Sequence, residues 1–153
     1  MWLHLYHAGL LDQATALPYE LVSPDAVVAE LDDPAGANLV AGRAQVASLD
    51  AAGVARVWEL AQRYARPSPA DLAALVLAAA MGCPLVTGDN GPRKAAEREG
   101  IEVRGVLWVL DELVARAMLT PARAAEGLAA MLTRGAHLPA DECRRRLARW
   151  SAR

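Results

Sequence analysis

Three Ser/Thr-Pro pairs constrain this chain more than any other feature: Ser23-Pro24, Ser68-Pro69 and Thr120-Pro121. Each sets a hydroxyl where an N-cap accepts bonds from a helix's orphan amides. Each then sets a proline at the first helical position, where a missing N–H costs nothing. Leu138-Pro139 marks a fourth start without the hydroxyl, and Gly82, Gly100 and Gly135 stand where left-handed caps would stop helices. Between these marks lie four apolar runs of strand length, Tyr19–Val22, Gln45–Leu49, Leu85–Thr87 and Ile101–Arg104, each followed by a helical pattern. The predicted helices cover roughly 2–16, 24–32, 51–65, 69–81, 92–99, 106–118, 121–134 and 139–150. Such alternation predicts an α/β fold, a parallel sheet of about four short strands with helices on both faces and a helix-rich C-terminus. The 153 residues suit one domain, with 121–153 a helical extension of it.

An apolar share of 54% against 22% charged residues excludes a disordered chain. Abundant alanine and the absence of phenylalanine favour helix over strand. A formal net charge of −2 excludes a globally basic nucleic-acid coat, although a local basic patch remains compatible with it. Arg144, Arg145, Arg146, Arg149 and Arg153 form one such patch, with a solvated helix face as the plainer reading. Cys83 and Cys143 lack metal-ligand spacing and fit a reducing compartment. The longest apolar run, Leu72 to Met81, is too short for a bilayer, and no signal peptide precedes it. The expected location is the cytoplasm, with no membrane contact.

In a parallel α/β sheet, strand C-termini and helix N-termini share one crevice. Asp89 directly follows the run Leu85-Val86-Thr87, and Asp71 opens the helix leading into that strand, so the two are expected to meet across it. Glu30 lies in the helix after Tyr19–Val22. Carboxylates converging without basic partners repel one another, and a divalent cation removes that cost. Magnesium takes one or two carboxylates and can activate a water, which suits phosphodiester hydrolysis; no Cys/His cluster points to zinc. Arg93, just past Asp89, is placed to reach a phosphate. Each acid also has a structural reading. Ser68-Pro69-Ala70-Asp71 matches a capping box, and Asp89-Asn90-Gly91 matches an ordinary turn. His4 and His7 share a helix face but are a weak metal signal, and the four tryptophans read as packing residues.

Ser68-Pro69-Ala70-Asp71-Leu72-Ala73-Ala74-Leu75, then Leu85-Val86-Thr87-Gly88-Asp89 and Arg93, resemble the second half of a PIN domain. Ser23-Pro24-Asp25-Ala26-Val27-Val28-Ala29-Glu30-Leu31 resembles its upstream glutamate-bearing helix. The stretch from Gly100 to Trp108 and the helices beyond it are similar to a branch grouped with VapC-type toxins. The resemblance implies a PIN-like three-layer sandwich and a Mg²⁺- or Mn²⁺-dependent endoribonuclease. Such proteins are often homodimeric toxins neutralised by a small antitoxin, with RNA as substrate. By position, Glu30, Asp71 and Asp89 would hold the metal, with Asn90 and Thr87 supporting the site. One departure stands out. PIN domains open on a strand ending in an aspartate, whereas Met1-Trp2-Leu3-His4-Leu5-Tyr6 matches the residues after it. The expectation is a start placed too late within the gene; the alternative is a catalytically impaired interaction module. Leu85-Val86-Thr87-Gly88-Asp89-Asn90 also looks like a haloacid-dehalogenase segment, but the upstream aspartyl nucleophile of that class is not found.

Overall fold

The computed structural model describes residues 1–32 and 34–151, so Asp33 and Arg153 lie outside the described residues. The chain forms two compact units, one from Met1–Tyr19 and the chain from Arg104 onward, the other from Glu20–Val103. The fold is α/β, with short strands among many helices, as the punctuation predicts.

In the second unit, β1 (Val22–Pro24) pairs in parallel with β2 (Gln45–Ala47), with Val22 opposite Gln45 and Pro24 opposite Ala47. A separate ladder joins β3 (Leu85–Val86) to β4 (Val103–Arg104). Three of these strands lie within the predicted apolar runs, whereas β1 shares only Val22 with its run, and the four form two ladders rather than one. Five helices accompany them: α3 (Asp25–Glu30), α4 (Gly36–Val40), α5 (Ala51–Arg63), α6 (Pro69–Met81) and α7 (Asn90–Arg98). Helix α6 touches α3, α5, α7, β1 and β3. Its composition explains this: Leu72, Ala73, Leu75, Val76 and Ala78 are all buried, and no polar stripe is left to face water. Leu60, Leu85, Ala95 and Ala96 close the cluster around it.

The first unit is helical. Its elements are α1 (Trp2–His7), α2 (Leu11–Thr15), α8 (Val106–Ala115), α9 (Pro121–Thr133) and α10 (Ala140–Ser151), with α9 packed on α1, α8 and α10. Leu10, Leu110, Leu113, Leu128 and Met131 are essentially fully buried there. No described helix is long and apolar enough to cross a membrane. Cys83 and Cys143 are free thiols.

Several boundaries differ from the sequence-based expectation for identifiable reasons. The helix expected over 2–16 breaks at Gly9, whose φ of +62° ends α1. Arg123, far along the chain, donates to the carbonyls of Ala8 at 2.8 Å and Gly9 at 3.3 Å, satisfying the broken end. Ser23-Pro24 does not cap a helix as the dipeptide predicts. Both residues belong to β1, Pro24 itself takes the N-cap position, and the buried Ser23 Oγ has no hydrogen-bond partner among the described residues. Pairing with β2 overrides the local signal. Helix α4 was not expected. Its Gly36 lies so close to α3 that a Cβ would fall 2.1 Å from the Val28 carbonyl oxygen. Trp58 departs from the packing role expected of the tryptophans, being 69% exposed, whereas Trp2 and Trp150 are buried.

The dependence of the second unit on α6 is directly measurable. Leu75→Ala, at a side chain only 2% exposed, should lower the unfolding free energy by about 2–5 kcal/mol in urea titrations. A loss below about 1 kcal/mol would mean that α6 is not the packing centre.

Candidate functional site

The site grows out of the two ends of the α6–β3–α7 segment. Helix α6 starts at the Ser68 cap: Ser68 Oγ accepts from the Asp71 N–H at 3.1 Å, and Asp71 Oδ2 accepts from the Ser68 N–H at 2.9 Å. This reciprocal capping box is the structural role the sequence assigns to Asp71, and it holds the carboxylate in one orientation. Oδ1 accepts no hydrogen bond among the described residues. After α6 the chain stops at Gly82 (φ +62°), enters β3 and reaches Thr87-Gly88-Asp89.

Asp89 is the N-cap of α7, yet its side chain makes no cap bond. Other N-caps of the chain do: Asp50 accepts from the Gly53 N–H at 2.7 Å, and Thr120 from the Arg123 N–H at 3.2 Å. The Asp89 carboxylate is exposed and uncommitted, so neither turn nor cap chemistry accounts for it. Its backbone, by contrast, is fixed. The buried Thr87 accepts the Asp89 N–H on Oγ1 at 3.2 Å, and the Asp89 carbonyl accepts the Arg93 N–H at 3.2 Å. Asn90 is the first residue of α7 and exposed. Arg93 curls back to a long 3.5 Å contact with the Thr87 carbonyl rather than extending outward.

Gly91 marks how close the two helix starts lie. A Cβ there would meet Arg66 Cβ at 3.4 Å and Pro67 N at 3.5 Å, so the first turn of α7 lies against the residues just before the Ser68 cap. The structure thereby brings the N-termini of α6 and α7, carrying Asp71 and Asp89, side by side. Glu30 is the last residue of α3, which packs on α6, and is exposed. Among the described residues, no three His, Cys, Asp or Glu side chains gather as a metal-holding group in this structure.

The pattern of acids gave no warning of the cations beside this crevice. Arg66 immediately precedes Pro67, while Lys94 and Arg98 follow Gly91 along one stripe of α7. That helical spacing was the available signal. The C-terminal arginines turn out to be paired: Arg144 with Asp141, Arg145 with Glu142, Arg146 with Asp111 and Glu142, and Arg149 with Asp111. They form the solvated, ion-paired face of α10 that the plainer reading expected.

At the far end of α7, Glu99 ties that helix to α5. It accepts from Tyr64 Oη at 2.7 Å, Arg56 at 2.7 Å and Arg63 at 2.9 Å. The Tyr64 hydrogen bond, with Arg63 and Arg56 adding to it against the cost of burial, holds the Glu99 carboxyl below its ordinary 4.5.

These features define an α/β protein with a partly buried aspartate and an exposed one at the starts of two neighbouring helices. A family model described as a PIN domain matches residues 2–152, and the chain belongs to that family, whose fold is nuclease-like. No curated protein and no solved structure gives a match.

Two measurements follow from this geometry. Ser68→Ala should cost about 1 kcal/mol of stability in urea titrations, because it breaks the capping box. An unchanged midpoint would show that the Ser68 hydroxyl does not cap α6. For Glu99, a folded value below the unfolded one means that its stabilisation is complete above pH 4.5 and disappears as pH falls through the lowered value. The gap in melting temperature between the natural chain and Glu99→Gln should therefore be open at pH 7 and close on acidification below 4.5. A gap constant down to pH 3 would contradict the ion-pair account.

Proposed function

We propose that the chain is a Mg²⁺- or Mn²⁺-dependent endoribonuclease of the VapC toxin type, cutting RNA phosphodiester bonds at the Asp71–Asp89 crevice. The observation that supports this reading is the uncapped, exposed carboxylate of Asp89, at a helix start that lies against the segment leading to the Ser68–Asp71 cap, in a chain of the PIN family. The donor chemistry fits such an ion. Both groups offer carboxylate oxygen, and magnesium binds through one or two carboxylates while keeping several waters. Glu30, from α3, is the third candidate ligand.

When bound, the ion would polarise the phosphodiester and activate a water. The chain's own residues do the positioning. The Ser68 N–H orients Asp71, the Thr87 hydroxyl anchors the Asp89 backbone, Asn90 stands beside the crevice, and Arg93 is at hand for a phosphate. A cytoplasmic setting, a homodimer and neutralisation by a small antitoxin belong to the same reading.

Titration calorimetry with Mn²⁺ on the whole chain and on Asp89→Asn, with RNA cleavage measured alongside, tests it. Asp89→Asn should weaken Mn²⁺ binding at least tenfold and abolish cleavage. Its thermal stability should be unchanged, because the native carboxylate makes no cap bond. Absence of Mn²⁺ binding in both proteins would overturn the proposal in favour of a PIN-fold interaction module that does not cleave.

A further inference from the structure

A second feature of the same unit has no role in holding a metal. A cleft of about 300 Å³ runs along α7, with the end of α5 and the segment 64–67 as its opposite wall. Arg63, Arg66, Lys94 and Arg98 line it, and no acidic residue does. Arg63 is engaged by Glu99, but Arg66, Lys94 and Arg98 are exposed and make no ion pair or hydrogen bond among the described residues. By contrast, Arg56, Arg116, Arg144, Arg145, Arg146 and Arg149 all have acidic partners. Lys94 and Arg98 stand four residues apart on one helix face, where like charges repel and weaken the helix. Anions in the cleft would remove that repulsion.

The cleft also has a direction. Gly91 lies in its wall, two residues from Asp89 and in contact with the segment leading to the Ser68 cap. One end therefore opens at the two helix N-termini, and the cations continue from there along α7 to Arg98. A larger cavity of about 760 Å³ in the same unit lies along the second half of α6. Its charged groups are already engaged, Arg56 with Glu99 and Asp50 as the α5 cap.

We infer that the Arg66–Lys94–Arg98 cleft is the track for the phosphodiester backbone of a single RNA strand, leading it to the Asp71–Asp89 crevice. The inference rests on the nuclease reading for the identity of its polyanion, but not for the existence of the site. Lysine and arginine along a groove neutralise successive phosphates without reading bases, which makes binding salt-dependent and indifferent to sequence.

The test separates binding from cleavage. Binding of a fluorescently labelled single-stranded RNA oligonucleotide is followed by anisotropy in EDTA, so that no metal-dependent cleavage intrudes. The proteins are the full chain, the triple variant Arg66→Gln, Lys94→Gln, Arg98→Gln, and the control Arg144→Gln, Arg145→Gln. The triple variant should bind at least tenfold more weakly, with the slope of log K against log salt reduced by about 2, since each phosphate contact on a single strand contributes about 0.7. The control, whose native arginines are already paired, should bind within about twofold of the natural chain. The replaced cleft side chains make no bond in the fold, and circular dichroism should confirm an unchanged structure. Equal binding by the natural chain and the triple variant would overturn the inference. So would an equal loss in the control, or displacement of the RNA by a polyglutamate peptide at lower concentration than by unlabelled RNA. RNA binding through the cleft without any cleavage would sink the nuclease reading alone; cleavage unaffected by the triple variant would sink the track alone.

Discussion

The second unit depends on the burial of α6. A helix with leucine, valine and alanine all round has no face to give to water, and it must be covered on every side. Here α3, α5, α7, β1 and β3 supply that cover over most of its length, leaving Ala79, Ala80 and Met81 exposed at its end. Covering a helix this fully creates a difficulty at its start, where orphan amides lose access to solvent. Ser68 and Asp71 resolve it by bonding to each other's backbone N–H. The position of Asp71 is thus a consequence of core packing. A side chain held in this way is pre-organised in the sense that a functional carboxylate needs, since its rotamer is fixed before any ligand arrives.

Two helix starts set side by side bring two positive dipole ends together, which helps two carboxylates to coexist there without a basic partner. The Asp71–Asp89 arrangement is therefore tolerable in the absence of metal, and the same positive ends favour any phosphate that approaches. The remaining charges are divided unevenly. The chain carries 16 lysines and arginines against 18 acids, a near balance that excludes a globally basic surface but says nothing of a local patch. The structure shows what the total hides. Acids cancel the cations of α10 and α5 locally, and Arg66, Lys94 and Arg98 are left uncancelled beside one crevice.

How far the sequence could be read follows from the range of each interaction. Ser68-Pro69 and Thr120-Pro121 start helices as their residues dictate, and Gly82, Gly100 and Gly135 adopt the positive φ expected of stops. All of these are decided within one helical turn. Ser23-Pro24 has the same local chemistry and fails, because β2, more than twenty residues away, claims its backbone. The break at Gly9 is likewise settled by Arg123, over a hundred residues on. The nearness of the two helix starts was legible because strand-helix order alone carries the starts of α6 and α7 to the same end of β3. The cleft was not legible, since Arg66 and Lys94 become neighbours only through the packing of the first turn of α7 against Arg66 and Pro67.

The strands themselves have only two or three residues each, in two ladders with no hydrogen bonds between them. Two-stranded ladders of this length have little stability of their own. The usual hierarchy, in which a sheet sets the positions of its helices, is therefore reversed in the second unit. Helix α6 touches both β1 and β3 and so holds one strand of each ladder; Leu85 of β3 enters the apolar cluster while its N–H bonds to the Glu102 carbonyl at 2.8 Å. It follows that the separation of Asp71 from Asp89 is governed by how α6 and α7 pack, through Gly91 and the buried Ala95 and Ala96. The strand ladder between the two residues contributes little to that distance. A substitution that shifts this helix pair by an ångström would alter the crevice, whereas loss of a single ladder hydrogen bond would leave it in place.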